Sequence, residues 1–375
     1  MKIGVLTLPL WNNYGGIIQA YALQKILINE GHEVSLIDYH HPIPSSLKLI
    51  RNSLVRSFKK NFLKRKDVIF YPNYYQKKII SKYTRDFIGK EINPITKELY
   101  NFNDLKELNS EFDAFVVGSD QVWRPIYTPN IENYFFDFVD KDKIKIAYAA
   151  SFGTDKWEFT MEQYLKCKSL IQDFKAVSVR ESSGVFICRE KFETKVLKVL
   201  DPSMLLDKVD YFNLCEKYQT QKSDGNLFTY ILDESEHNLN IIKSVSSILG
   251  LKSFKVMPKR FDDQFKSHKE DYFFPPLTKW IKAFEDAEFI IADSFHGCVF
   301  SIIFNKPFIA IGNQERGLTR FYSLLEKFQL SDRLILSEAD LNDDLINKPI
   351  DWNTVNSILE ENKKISLQFL KKNFE

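Results

Sequence analysis

The sequence predicts an α/β protein made of two domains that face each other across a cleft. Three observations predict this class. Short apolar strands alternate with helical patterns from the first residues, which is typical of a parallel sheet with right-handed crossovers. A second alternating series of strands and helices begins after a polar stretch at residues 219–225. The length of 375 residues is that of about two domains.

Residues 1–203 are predicted to form the first domain. An apolar strand is followed by a turn-rich loop, and apolar residues then recur at helical spacing up to Gly31. The strands are short and mostly apolar, like parallel strands whose carboxyl ends carry functional loops. Prolines interrupt helical patterns over about 42–100, which indicates a basic helical excursion from the sheet. The predicted strands cover residues 2–8, 34–37, 112–117, 145–150, 176–179 and 196–200.

Residues 204–345 are predicted to form the second domain, and residues 346–375 a C-terminal helix. The boundary is placed between Asp201 and Gly225, where a proline and a polar run interrupt the alternation. The predicted elements are strands over 227–232, 254–257, 289–292 and 307–311, helices over 237–249 and 280–287, and a long terminal helix over 352–374.

Composition excludes several classes of protein. The 52 Lys and Arg residues nearly balance the 50 Asp and Glu residues, and a net charge of +2 argues against a general nucleic-acid binder. We find no run of 18 apolar residues and no signal-peptide pattern, so we expect a cytoplasmic protein. The four cysteines lack Cys-x-x-Cys spacing, so neither a zinc motif nor a redox motif is predicted.

A loop at residues 12–16 (Asn-Asn-Tyr-Gly-Gly) lies between the first strand and the first helix. Backbone N–H groups and the helix dipole favour an anion at such a position. The loop lacks the Gly-x-Gly-x-x-Gly pattern, so a dinucleotide site is not indicated. A tight turn that uses glycine for a positive φ angle is the structural alternative.

Two charged residues follow strands of the first domain. Asp120 lies at the carboxyl end of a strand, where open α/β sheets bind ligands, and is interpreted as a partner of sugar hydroxyls or as a base. Capping of the next turn is the alternative role for Asp120. Arg180 follows strand 176–179, and arginine grips carboxylate or phosphate in a bidentate manner. An internal ion pair with Glu181 or another acid is the alternative for Arg180.

The stretch 293–297 (Asp-Ser-Phe-His-Gly) is the most informative motif. The motif directly follows a buried strand, so it lies at the carboxyl end of the sheet, and a buried helix comes after it. His296 is thereby placed at a helix N-terminus, which disfavours the cation and favours a neutral ring suited to catalysis. A lone histidine is more often structural, but the neighbouring Asp293, Ser294 and Gly297 favour a functional role for this one.

Two arginines four residues apart, Arg316 and Arg320, follow the next strand. On a helix they would share one face and could hold an anion in the cleft, with simple surface solvation as the alternative.

A strongly basic stretch covers residues 48–66, with eight basic residues and no acidic one. Apolar residues recur within it at spacings of three to four, which predicts an amphipathic cationic helix that lies on an anionic membrane surface. Packing of this helix on its own domain is the alternative. The residues predicted to face the membrane are Arg51, Arg56, Lys59, Lys60 and Lys64.

Taken together, these segments resemble the polysaccharide pyruvyl transferase family. The resemblance implies a fold like that of GT-B glycosyltransferases, with two Rossmann-like domains and the active site between them. It also implies transfer of an enolpyruvyl-derived unit from phosphoenolpyruvate onto two hydroxyls of a sugar, forming a cyclic ketal. The segments that carry it are the Asn-rich loop at 12–16, 118–123 (Gly-Ser-Asp-Gln-Val-Trp), 151–153 (Ser-Phe-Gly), 178–181 (Ser-Val-Arg-Glu), 201–203 (Asp-Pro-Ser), 293–297 and 313–320.

The resemblance also implies a set of site residues. His296 would do acid/base work or donate to the leaving phosphate, and Asp120 would orient or deprotonate an acceptor hydroxyl. Many relatives carry an arginine two residues before the motif histidine, where this chain has Ser294, so we expect Arg316 or Arg320 to replace it. The predicted donor-binding residues are Arg180, Arg316, Arg320, Ser294 and Gly297, and the predicted acceptor-binding residues are Asn13, Tyr14, Gly15 and Trp123.

Phosphoenolpyruvate is expected as co-substrate, with no cofactor and no metal, so activity should survive EDTA. The acceptor is expected to be a sugar or a lipid-linked oligosaccharide at the inner face of the cytoplasmic membrane. Two other classes stay open. One is a nucleotide-sugar glycosyltransferase of the same architecture, although a clear Glu-based sugar-nucleotide signature is not apparent in the sequence. The other is a non-catalytic glycan-binding relative whose abundant aromatic residues, 14% of the chain, stack on sugars.

Overall fold

The computed structural model describes residues 1–44, 71–312 and 317–375. Several predictions fall partly or wholly outside these ranges. They include the basic excursion over about 42–100, the amphipathic helix over 48–66, its membrane-facing residues Arg51, Arg56, Lys59, Lys60 and Lys64, the motif segment 313–320 and the donor-binding residue Arg316.

The first sheet contains six parallel strands in the order β2-β1-β3-β4-β5-β6. The residues of β3 are buried on both faces, as expected for a parallel sheet covered by helices. The strands are β1 (Lys2–Leu6), β2 (Glu33–Ile37), β3 (Ala114–Val117), β4 (Ile144–Ala150), β5 (Ala176–Val179) and β6 (Leu197–Lys198).

The second sheet contains five parallel strands in the order β11-β10-β9-β7-β8. Its three central strands are buried along their whole length. The strands are β7 (Leu227–Tyr230), β8 (Ser253–Phe254), β9 (Phe289–Ala292), β10 (Phe308–Ile311) and β11 (Leu334–Ile335).

Helices connect and cover both sheets. The first helix begins where the Asn13 side chain accepts a hydrogen bond from the Gly16 N–H, and its buried face packs on the sheet. The helices are α1 (Tyr14–Asn29), α2 (Tyr74–Ile80), α3 (Lys82–Glu91), α4 (Phe102–Glu107), α5 (Met161–Ile171), α6 (Ser182–Glu190), α7 (Lys208–Lys217), α8 (Glu236–Leu249), α9 (Leu277–Asp286), α10 (Phe295–Ile303), α11 (Thr319–Lys327), α12 (Asp343–Asn347) and α13 (Trp352–Phe374).

Most predicted strands and the terminal helix are confirmed, but two edge strands are shorter than expected. The strand predicted over 254–257 pairs only through Ser253 and Phe254, and the chain leaves the sheet before Pro258, which has no N–H to donate. The strand predicted over 196–200 pairs only through Leu197 and Lys198. The short strand β11 has no counterpart among the predicted elements, because two residues carry too little pattern.

Each sheet has one position where the strand order reverses. In the first sheet it lies between β1 and β3, and in the second between β7 and β9. Ligands of open α/β sheets bind at the carboxyl ends of the strands at such a position. The loops that follow β1, β3, β7 and β9 all reach the same cleft between the sheets.

Direct contacts join the two halves around this cleft. The Tyr14 hydroxyl donates to the backbone carbonyl of Pro275 at 2.7 Å, and its ring stacks on Trp280. The final helix returns to the first sheet, where Ser366 Oγ accepts from the backbone N–H of Leu200. Within the described ranges, no helix is long and apolar enough to cross a membrane.

Candidate active site

A cavity of about 520 Å³ lies between the two sheets, at the carboxyl ends of their central strands. Its size is within the range of about 300–1,000 Å³ that is usual for small-molecule sites. Both halves of the chain line it. The lining side chains that can carry chemistry are Trp11, Asn13, His41, Lys77, Asp120, Tyr127, Asp293, Ser294, His296 and Arg320.

His296 stands in the first turn of α10, as the sequence predicts. Ser294 caps this helix by accepting a hydrogen bond from the Gly297 N–H at 3.0 Å. The His296 side chain is almost fully buried, and its Nε2 lies 3.6 Å from Oδ2 of Asp201 in the first half of the chain. Among the described residues, Nε2 has no hydrogen-bond partner. His296 thus lines the cavity, with its Nε2 beside the Asp201 carboxylate.

Asp201 is held rigidly in this position. Its carboxylate accepts hydrogen bonds from Ser119 Oγ at 2.8 Å, from Ser203 Oγ at 2.6 Å and from Arg180 Nη1 at 2.8 Å. Burial alone would raise the pKa of Asp201, but His296 and the Arg180 guanidinium outweigh it and hold the pKa well below its usual value. Asp201 therefore stays ionised beside His296.

Asp120 lines the same cavity from the loop after β3. Its backbone has φ of +74°, a left-handed conformation that costs a non-glycine residue free energy and is common at functional sites. One carboxylate oxygen accepts a hydrogen bond from Asn13 Nδ2 and the other from Arg180 Nη2, both at 3.4 Å. These long contacts leave the carboxylate room to accept further hydrogen bonds from a ligand.

Arg180 does not line the cavity, contrary to its predicted role in donor binding. Its guanidinium is buried, paired with Asp201 and Asp120, and lies over the ring of Phe295. Three acids surround it when Glu181 at 3.7 Å is included. The alternative of an internal ion pair thus describes Arg180 better, because a cation inside an apolar interface needs nearby acids.

Among the described residues, Arg320 is the arginine that lines the cavity. Burial and the charge of Arg180 lower its pKa to about 10. Helix α11 begins at Thr319, and Arg316 lies outside the described residues, so the expectation that the two arginines share a helical face stays a prediction. Gly317, with φ of +85°, separates the two arginines.

Four other predicted ligand-binding residues have structural roles. Tyr14 packs against the second half of the chain, and Trp123 is fully buried, stacks on Phe135 and donates its indole N–H to the Tyr134 carbonyl. Gly15 is buried beneath His296, and the Gly297 N–H is used by the helix cap. Neither Tyr14 nor Trp123 lines the cavity, so their placement does not support the acceptor-binding role predicted for them. Their side chains point into the core, a direction that a sequence does not reveal.

Several cavity residues were not predicted as site residues. Trp11, His41 and Tyr127 follow β1, β2 and β3, and a position after a parallel strand is the sequence signal that points to them, whereas Lys77 lies within α2. Asp201 belongs to a recognised motif, but its contact with His296 joins residues that are distant in sequence. The described parts of the chain contain no group of three or more His, Cys, Asp or Glu side chains that could hold a metal ion.

Comparisons with known proteins agree with this architecture. The structure of UDP-GlcNAc 2-epimerase from Methanocaldococcus jannaschii in complex with UDP-GlcNAc and UDP is 12% identical, with coverage of 99% of this chain and 100% of that chain and a TM-score of 0.52. Arabidopsis thaliana UGT89C1 complexed with UDP is 10% identical, with 99% of each chain covered and a TM-score of 0.48. No curated protein matches the sequence.

At such low identity, the likeness to solved structures shows the fold alone. The prediction of two Rossmann-like domains in a GT-B-like arrangement is confirmed by the two parallel sheets and by the match to the epimerase. A sequence model described as polysaccharide pyruvyl transferase matches residues 13–315, which include every cavity residue named above except Trp11 and Arg320. Because this match spans most of the chain, the protein belongs to the polysaccharide pyruvyl transferase family.

Proposed function

We propose that the protein transfers the enolpyruvyl-derived unit of phosphoenolpyruvate onto two hydroxyls of a sugar, forming a pyruvate ketal. The observation that carries this proposal is the convergence of His296, Asp120 and Arg320 on one cavity of suitable size. They supply a group able to move protons, a carboxylate for hydroxyls and a fixed cation. These are the groups that the reaction needs, and family membership supplies the reaction class.

The donor carries a phosphate and a carboxylate, so its site requires positive charge. Arg320 supplies a planar fork of N–H donors suited to either group, and Lys77 adds a second cation to the cavity wall. Arg180 supports the donor site indirectly, because it neutralises Asp120 and Asp201 behind the cavity. In this proposal Arg320 takes the role that the resemblance implies for an arginine at position 294, for which Arg316 and Arg320 were the two expected replacements.

The two hydroxyls of the acceptor supply both protons that the reaction consumes. One hydroxyl oxygen bonds to C2 of the donor, and a proton is added to the methylene carbon, which becomes a methyl group. The bond between C2 and the phosphate oxygen then breaks. The second hydroxyl oxygen bonds to C2 and closes the ketal, and its proton leaves with inorganic phosphate.

His296 is suited to carry a proton between these steps. The residue lines the cavity, and its Nε2 lies 3.6 Å from the ionised carboxylate of Asp201, which holds the ring in position. Asp201 is therefore a positioning residue in this proposal. Asp120 is placed to orient an acceptor hydroxyl and to accept its proton.

Phosphoenolpyruvate with a panel of methyl galactosides, mannosides and N-acetylhexosaminides tests the proposal. The expected result is release of inorganic phosphate and an acceptor mass increased by one pyruvyl ketal, in wild type but not in His296→Ala. UDP-sugars and GDP-sugars are tested in parallel by thermal melting, because a nucleotide-sugar enzyme would bind them. Stabilisation by a nucleotide sugar without phosphate release from phosphoenolpyruvate would overturn the proposal.

A lipid-linked acceptor at a membrane surface is part of the same proposal. The eight basic residues between 48 and 66 support it, because each basic residue near an anionic bilayer contributes about 1 kcal/mol of attraction.

A further inference from the structure

Two aromatic side chains line the cleft without belonging to the core. Trp11 follows β1 and is partly exposed, and Tyr127 ends a short 3₁₀ turn after β3 and is 41% exposed. Both border the cavity that contains His296, Asp120 and Arg320. Neither ring takes part in the reaction proposed above, so their position on the same cavity indicates a role in ligand binding.

Residues of the segment after β2 hold Trp11 in place. The guanidinium of Arg85 lies over its ring at 5.6 Å, and the rings of His40 and Tyr74 meet it edge-on. Arg85 is itself held by Asp38 at 3.0 Å and donates to the backbone carbonyl of Leu10 at 3.2 Å. The Trp11 carbonyl accepts a hydrogen bond from the Thr84 hydroxyl. Ring and backbone of Trp11 are therefore both immobilised.

Tyr127 is fixed in the same manner by a different arginine. The guanidinium of Arg124 lies 4.6 Å from the centre of the Tyr127 ring, and its Nη1 donates to the Tyr127 hydroxyl at 3.2 Å. Arg124 is nearly buried and forms a two-pronged ion pair with Glu158. Each ring thus has one face occupied by an arginine that an acid holds in place.

We propose that Trp11 and Tyr127 form the acceptor subsite, where they hold a pyranose ring by its C–H faces. This assignment rests on the proposed function and deepens it. The C–H edges of a pyranose are apolar and slightly positive, and aromatic faces are negative, so the two surfaces attract. Rings already held rigid lose little conformational entropy on binding, which increases affinity. The sugar hydroxyls would then be directed towards Asp120 and His296.

This subsite replaces the predicted one. Trp123 and Tyr14, the aromatic residues expected to contact the acceptor, are buried in the core. Trp11 and Tyr127 lie on the loops after β1 and β3, the two strands that flank the reversal of strand order in the first sheet. The first half of the chain would therefore bind the acceptor, while Arg320 from the second half would bind the donor.

Saturation-transfer NMR with methyl β-D-galactopyranoside, methyl α-D-mannopyranoside and methyl N-acetyl-β-D-glucosaminide tests the subsite without any donor. We expect transfer to the ring C–H protons of at least one glycoside in wild type, and its loss in Trp11→Ala and in Tyr127→Ala. Trp157→Ala is the matched control, because Trp157 is 42% exposed but lies outside the cavity. Transfer to none of the glycosides, or undiminished transfer in both cleft variants, would overturn the assignment.

Steady-state kinetics separate this inference from the proposed function. Trp11→Ala is expected to raise the acceptor KM at least about tenfold while the KM of phosphoenolpyruvate changes less than about twofold, and Trp11→Phe to retain part of the affinity. If Trp11→Ala proves unstable, Tyr127→Ala, on an exposed turn, decides with the same criteria. Pyruvyl transfer with unchanged acceptor KM would overturn the subsite alone, whereas glycoside binding without any transfer would overturn the proposed function alone.

Discussion

The imidazole of His296 lies directly against the backbone of Gly15, across the boundary between the two halves of the chain. A Cβ atom built on Gly15 would overlap Nδ1 and Cγ of the ring and come within 2.8 Å of its Cβ. The neighbouring Gly16 similarly faces Asp120, whose Oδ2 would lie 3.3 Å from a Cβ atom there. The two glycines that open α1 thus make room for the two side chains to which the proposed function assigns proton transfer.

Gly15→Ala is therefore expected to displace His296 and to lower kcat by about 10²-fold or more, the usual contribution of a general acid or base. Alanine favours a helix over glycine by up to about 1 kcal/mol, so the fold should survive even though the ring must move. Phosphate release and thermal melting measure the two effects. Gly89→Ala in α3 is the control, because a Cβ atom there meets nothing within 4 Å. Full activity of Gly15→Ala would show that the close contact of Gly15 with His296 is not needed to position the imidazole.

Asp201 is expected to make stability depend on acid pH. Its pKa is lower in the folded protein than the value of about 3.9 in an unfolded chain, so the folded state binds fewer protons in acid. Its contribution is complete above about pH 4 and is lost as the pH falls below that value. Asp201→Asn should cost about 3–5 kcal/mol at pH 7, because it breaks a buried ion pair with Arg180.

Thermal melts between pH 3 and pH 7 measure this linkage. The melting temperature of wild type should fall more steeply below about pH 4 than that of Asp201→Asn. Asp142→Asn, a change at an exposed carboxylate, serves as the control. If the melting temperatures of wild type and Asp201→Asn fall equally steeply with pH, then the pKa of Asp201 is not lowered by its neighbours in the folded protein.

The sequence was most informative where local pattern decides the structure. The buried strand before residue 293 and the helix after it can be read from apolar spacing, and this placed His296 at a helix start. The same reasoning placed Asp120 at the end of β3, in the loop that borders the cleft. Such features depend on the period of strands and helices and not on distant contacts.

Side-chain direction and long-range partners could not be predicted in this way. Trp123 lies in a motif beside Asp120, yet it turns into an aromatic core formed with Phe135 and Phe152, which lie outside that motif. Arg180 is surrounded by acids from three separate loops, and no local pattern indicates that Asp201 will be its nearest partner. The position of Asp201 behind His296 likewise arises only when the two halves of the chain meet.

His296→Gln is expected to reduce phosphate release by about 10²–10⁴-fold while phosphoenolpyruvate still stabilises the protein. Glutamine preserves hydrogen bonding at similar length but does not titrate, and Arg320 remains to hold the donor. Phosphate assays and ligand-dependent melting make the comparison. His237→Gln, an exposed position on α8 outside the cleft, is the matched control. Near-normal turnover in His296→Gln would remove this residue from the proton-transfer scheme.

Replacing Lys59, Lys60, Lys64 and Arg65 by Gln is expected to abolish co-sedimentation with anionic liposomes. Four charges at about 1 kcal/mol each amount to roughly 4 kcal/mol of attraction, which is sufficient for transient docking. The control variant replaces four exposed lysines elsewhere, Lys97, Lys106, Lys371 and Lys372. Binding should also weaken as salt increases. Equal sedimentation of both variants would count against membrane docking by this segment.

Arg180→Met is expected to lower the stability of the protein, whereas Arg320→Met is expected to weaken donor binding without lowering stability. Loss of Arg180 leaves Asp120, Glu181 and Asp201 buried without their shared cation, so stability should fall by about 3–5 kcal/mol. Loss of Arg320 removes a cation whose pKa is already lowered by burial and by Arg180, so the melting temperature should hold or rise.

Donor binding should be weakened more by Arg320→Met than by Arg180→Met. A hydrogen bond to a charged group contributes about 1.5–3 kcal/mol, so Arg320→Met should raise the KM of phosphoenolpyruvate by about 10-fold to 150-fold. Arg180→Met, assayed below its melting temperature, should change that KM much less, because its guanidinium does not border the cavity. Melting curves with and without phosphoenolpyruvate, together with phosphate-release kinetics, test both statements. A larger donor KM in Arg180→Met than in Arg320→Met would return direct donor binding to Arg180 and leave Arg320 as its charged neighbour.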